Sequence, residues 1–164
     1  MNSVSLVILA ALSFSTSVHA ESAMDQRFPT SPQPSLTPGA LCVTPNEYRY
    51  PEKIPYCNRD VDGALKDQIV QRYDATFGYQ IGKMGRRIFK IDHYIPLCMG
   101  GSNDETNLWP QHPSVYINTD PLEDMLCRKM FEGKLKQVDA IRLIKQAKAN
   151  PSQAKTIVES MNRI

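Results

Sequence analysis

An aspartate and a histidine stand side by side at Asp92-His93, directly before Ile95-Pro96-Leu97. A carboxylate beside an imidazole offers a hard oxygen ligand for a divalent cation and, next to it, a group that takes up a proton near neutral pH. Hydrolysis of a phosphodiester needs both parts: a cation to neutralise charge on the phosphate and leaving oxygen, and a base for the attacking water. Four positive side chains, Lys83, Arg86, Arg87 and Lys90, run up to the pair. Turned toward a substrate, they would attract a phosphate backbone without reading its sequence. On an ordinary edge strand they would be solvated charges that discourage aggregation.

Several elements have to position these groups. Residues 86–92 alternate as a strand does, Ile88 and Lys90 on one side and Phe89 and Ile91 on the other. Gly100-Gly101 predicts a turn, and Asn107-Leu108-Trp109 a short second strand ended by Pro110. Asp120 suits a helix N-cap, Pro121 the first helical position and Glu123 a capping box, which predicts a helix from there to about Phe131 that stops near Gly133. Upstream, Leu65, Ile69, Val70 and Tyr73 recur at helical spacing from Asp62 to about Phe77, with Gly78 as the stop. Two more helices are expected at 136–148 and 151–162, split by Asn150-Pro151. Neighbours on an ideal strand face opposite ways, so Asp92 and His93 converge only if the strand ends or bulges there; Pro96 favours an early end.

The chain of 164 residues carries a net charge of +2, too small an excess to announce a nucleic-acid binder by itself. Residues 4–13 form a short apolar run, and Val18-His19-Ala20 offers a small-residue cleavage site. Although Lys and Arg are missing ahead of that run, it predicts a signal peptide over 1–20 and a periplasmic or secreted destination, an uncleaved anchor being the alternative. Pro29, Pro32, Pro34 and Pro38 among polar residues make 21–40 read as a disordered, Pro-rich tether. The rest, 41–164, suits a single domain. Cys42, Cys57, Cys98 and Cys127 form an even set in an oxidising compartment, which predicts two disulfides with three connectivities open. Cys42–Cys57 with Cys98–Cys127 is the preferred pairing, and the lack of any C-x-x-C argues against structural zinc.

The run from Asp92-His93 through Ile95-Pro96-Leu97, Gly100-Gly101-Ser102-Asn103 and Asn107-Leu108-Trp109-Pro110 resembles the HNH endonuclease family. It looks nearest to a secreted bacterial branch with a D-H-x-I-P-L-x-x-G-G-x-x…N-L-W-P pattern. The similarity spans roughly residues 41–145 and is strongest over 89–112. It implies an α+β fold: a small ββα-metal (HNH, or His-Me finger) core over about 86–133, flanked by helices and stabilised by disulfides. It also implies an exported endonuclease of low sequence specificity, using one divalent ion and acting on DNA, with RNA as the second candidate.

Within that resemblance His93 is the general base, the bland alternative being a buried structural histidine. Asp92 is the ligand of Mg²⁺ or Mn²⁺ (Ca²⁺, Zn²⁺ and Ni²⁺ being further candidates), or else a turn-capping aspartate. Asn107 pins the loop that carries His93. The family's last ligand, usually a His or Asn at the helix start, has no clean match here; His112 leads on ligand chemistry, followed by Glu123 and Asn118. Arg86, Arg87 and Lys90 are the expected contacts to nucleic acid. Trp109 is read as core rather than as a base-stacking ring, and Lys129, Lys134, Lys136, Lys145 and Lys148 as solvated helix faces. The incomplete ligand set motivates a rival reading, an envelope binding module that keeps the scaffold without turnover.

Overall fold

The computed structural model describes residues 27–163; the expected signal peptide and the first part of the expected tether lie outside them. Helices and two small antiparallel sheets give an α+β chain. A first hairpin pairs β1 (Glu47–Arg49) with β2 (Ile54–Tyr56). Helix α1 (Gly63–Phe77) starts where Asp62 accepts a hydrogen bond from the Leu65 amide and ends at Gly78, whose φ of 72° is left-handed backbone. A short helix α2 (Ile81–Met84) and a single 3₁₀ turn at Arg86–Ile88 follow. Strand β3 (Lys90–His93) then pairs antiparallel with β4 (Leu108–Gln111), Asp92 opposite Trp109 and His93 opposite Leu108. Three helices close the chain: α3 (Pro113–Phe131), α4 (Gln137–Ala149) and α5 (Ala154–Met161).

The β3–β4 hairpin lies between two cores. Ile91, Leu108 and Trp109 pack with Ile69, Val70 and Tyr73 of α1, while Ile95 and Met99 from the following loop join Leu122, Leu126 and Ile144 of α3 and α4. Trp109 is fully buried in the first cluster, as expected for a core residue. Both disulfides have the preferred pairing: Cys42–Cys57 holds the first hairpin, and Cys98–Cys127 ties the loop after β3 to α3. Among the described residues no helix is long and apolar enough to cross a membrane.

Four expectations need correction. The strand begins at Lys90 instead of residue 86, because Arg86–Ile88 coil into a 3₁₀ turn after Gly85, whose φ of 95° breaks the extended run. Pro110 does not end β4; in a two-stranded ladder its missing N–H can face the open edge, and pairing continues to Gln111. Helix α3 starts eight residues before the Asp120-Pro121 signal, at His112-Pro113, where the His112 ring caps the Ser114 amide and proline occupies the first turn. The buried positions Val115, Thr119 and Leu122 carry one stripe straight through Pro121. Finally, residues 27–40 pack against the domain. Thr37 is buried, donating its hydroxyl to the Leu108 carbonyl and accepting from Tyr73, and Gly39 N–H bonds Thr106 O.

Candidate active site

The loop between β3 and β4 is fastened by one side chain. Asn107 is fully buried; its Oδ1 accepts from Ile95 N at 2.9 Å and its Nδ2 donates to Ile95 O and Ser102 O, each at 2.9 Å. The loop can fold this tightly only because Gly101 lacks a side chain: a Cβ there would collide with the Ile95 carbonyl and come within 2.9 Å of Asn107 Nδ2. Asn107 thus has the pinning arrangement anticipated for it.

His93 emerges at the head of this loop, with 2% of its surface exposed. Its Nε2 lies 3.0 Å from Asn103 Oδ1, and its Nδ1 lies 3.3 Å from Arg59 Nη1. Asn103 Nδ2 donates to Asn58 O at 2.7 Å, which fixes Oδ1 as the acceptor toward the ring. A guanidinium has only donors. The neutral ring therefore carries its proton on Nε2 and turns its lone pair, on Nδ1, toward Arg59. Burial pushes the imidazole pKa down to about 4 despite the Asn103 bond and the nearby Asp92, so at neutral pH the ring is uncharged.

Asp92 belongs to a different neighbourhood. Strand β3 ends at His93, but both residues are still paired in the ladder, and alternation sends Asp92 toward Lys148 while the His93 ring meets Asn103 and Arg59. Its Oδ2 is 3.3 Å from Lys148 Nζ and 3.7 Å from Lys90 Nζ. Lys148 Nζ also bonds His93 O at 2.6 Å and Glu123 Oε2 at 3.1 Å, while Lys90 Nζ takes both Asp120 oxygens at 3.0 and 2.9 Å. Burial pushes the Asp92 carboxyl up, but the ammoniums of Lys148 and Lys90 together pull it below its ordinary value. For Lys148, burial works to lower the pKa, and Asp92 with Glu123 outweigh it and hold the group charged. Glu123 is pushed up by burial, with Asp92 adding to the effect.

Asp92, Asp120 and Glu123 each present an oxygen within 4.8 Å of the others. Three hard carboxylates fit a divalent cation such as Mg²⁺ or Mn²⁺. Lys90 and Lys148 leave the trio one negative charge in excess, and Lys90, whose side chain is 40% exposed, is the more accessible of the two cations.

Of the ligands named from sequence, the fold brings Asp92 and Glu123 together and leaves His112 out. The His112 ring caps α3, bonds the Ser114 hydroxyl and stacks on Phe28 at 3.9 Å between centroids. Asn118, the third choice, donates its amide to Ser114 O. Asp120 was missed because it read as an N-cap; its i, i+3 spacing to Glu123 places both on one helix face and was the available signal. Lys148 was misread as solvated. It is fully buried, and its place four residues after Ile144 in the apolar stripe of α4 was the clue. Nothing in the sequence pointed to Arg59.

Arg86, Arg87 and Lys90 line one groove of about 270 Å³ with Arg59 and Lys66, running along β3 past Ile91. Arg86 is paired with Asp67 at 2.8 Å. Searches against family models, curated proteins and solved structures returned no match for this chain.

Proposed function

We propose that this protein is an exported, metal-dependent endonuclease that hydrolyses phosphodiester bonds of DNA, with RNA as a second substrate and little sequence preference. The observation that carries the reading is His93: a neutral imidazole of fixed tautomer, on a loop clamped by Asn107, touched at its lone pair by a residue of a cation-lined groove. The succession β3, loop, β4, α3 supports a ββα core of the HNH type.

In this reading His93 Nδ1 takes a proton from the attacking water, and Asn103 Oδ1 stabilises the resulting imidazolium through Nε2–H. Arg86, Arg87 and Lys90 hold the flanking phosphates. Asp92, Asp120 and Glu123 would hold the divalent ion, Glu123 and Asp120 taking the place first given to His112. When bound there, the ion would supply charge neutralisation to phosphate lying beside Lys90, the side chain shared by the acidic group and the groove. Purified protein should nick supercoiled plasmid with Mg²⁺ or Mn²⁺ and stop on addition of EDTA. A folded preparation that cuts neither DNA nor RNA with any divalent ion overturns the proposal.

One observation favours the second reading, a scaffold that binds without turnover: the Lys148 ammonium already bonds two of the three carboxylates. Calorimetric titration with Mn²⁺ separates the two. Binding that disappears in Asp92→Asn supports the enzyme; heatless titration of the wild-type protein supports the binding module.

A further inference from the structure

Arg59 touches the base and lines the groove at once, and neither position follows from the motif around His93. Its Nη1 lies 3.3 Å from His93 Nδ1 and its Nη2 donates to Ile91 O at 3.0 Å. The next residue back, Asn58, receives the amide of Asn103, so the Asn58-Arg59 segment supports both ring nitrogens of His93. The groove beside it is lined by five cations, Arg59, Lys66, Arg86, Arg87 and Lys90, and by no carboxylate. Arg86 and Lys90 are paired with acids elsewhere, whereas Arg59, Lys66 and Arg87 have no carboxylate partner among the described residues.

A guanidinium on the Nδ1 lone pair blocks the atom that must accept a proton from water. Neutral imidazole is a weaker acceptor than a phosphate oxygen, to which an arginine can bind through two N–H groups. Arg59 is exposed and uses only two of its five N–H donors on protein, so a phosphodiester entering the groove can draw it over. Resting on the proposed function above, we infer that Arg59 is a phosphate-binding latch: it caps the His93 lone pair in the free protein and releases it when the nucleic-acid backbone binds. Lys66 and Arg87 extend the same site along the strand.

The test uses His93→Ala protein, which cannot cleave, and a fluorescent single-stranded oligodeoxynucleotide followed by anisotropy over a range of KCl concentrations. Adding Arg59→Ala should weaken binding about tenfold and reduce the slope of log K against log salt by about one. Arg59→Lys should keep the slope while losing part of the affinity. Unchanged affinity and slope in a folded Arg59→Ala double variant overturn the inference alone; no binding by His93→Ala overturns it together with the nuclease reading. The latch has its own readout in wild-type protein. The His93 Nδ1 nitrogen resonance should move when a phosphorothioate oligonucleotide saturates the groove, and should already be displaced in Arg59→Ala. A resonance that stays fixed at saturation would show that the guanidinium never leaves the base.

Discussion

At the scale of single residues, His93 and Lys148 make opposite bargains with burial. In the unfolded chain His93 takes up its proton near pH 6.5, but in the fold only near about 4. Between those values the unfolded chain binds more protons, so stability is full above about 6.5, falls as pH drops through the window, and levels off near 4. The shift corresponds to about 3 kcal/mol. Glu123, shifted upward, works in the other direction, so the informative quantity is the difference from a His93→Gln variant. Urea unfolding from pH 7 to pH 4 should show the wild type losing stability relative to that variant; parallel pH profiles would contradict it. Lys148 instead stays charged, its three contacts going to Asp92, Glu123 and the His93 carbonyl. Lys148→Met leaves two carboxylates short of their cation and should cost about 3–5 kcal/mol by denaturant unfolding, against near-neutrality if the pair were solvated. Asp92, His93 and Asn107 were legible because the motif names them. Lys148 was not, because a lysine on an amphipathic helix normally faces water and only its register shows otherwise.

At the scale of elements, the β3–β4 loop is the part where sequence and structure agree most closely. Gly100-Gly101 does mark the turn, and Asn107 does fasten it. Gly101→Ala would push a methyl into the Ile95 carbonyl that Asn107 holds, so it should destabilise the fold by several kcal/mol and cost activity through the displaced His93 loop. Wild-type melting temperature in that variant would show that the loop has room the geometry denies. The start of α3 was misread for an equally local reason. Asp120-Pro121 carries every sign of a helix start, whereas His112-Pro113 shares only the proline and has a histidine ring for its cap, and the continuous buried stripe decides between them. That shift turns Asp120 from a cap into a neighbour of Lys90 and Asp92, and it removes His112 from the acidic group by making it the cap.

At the scale of the molecule, the segment 27–40 shows what composition alone conceals. Its prolines and polar residues lack the apolar content of a core, but Thr37, Gly39 and Ala40 bond the β3–β4 hairpin and its loop directly, and Phe28 covers His112. Thr37→Val, which keeps the volume and removes the hydroxyl, should cost about 1–3 kcal/mol, and an unchanged unfolding midpoint would show the strap to be incidental. The two cores meet at the hairpin, so β3 delivers Asp92 to the acidic group beneath α3 and α4 and His93 to the basic groove side, with Lys90 touching both. His93 as the base is the centre of the proposed function. The most direct test compares single-turnover cleavage of plasmid DNA by wild-type and His93→Gln protein with Mn²⁺, each checked for an unchanged fold by circular dichroism. A loss of about 10²–10⁴ in the cleavage rate is predicted; a His93→Gln protein that cuts within a few-fold of wild type would contradict it.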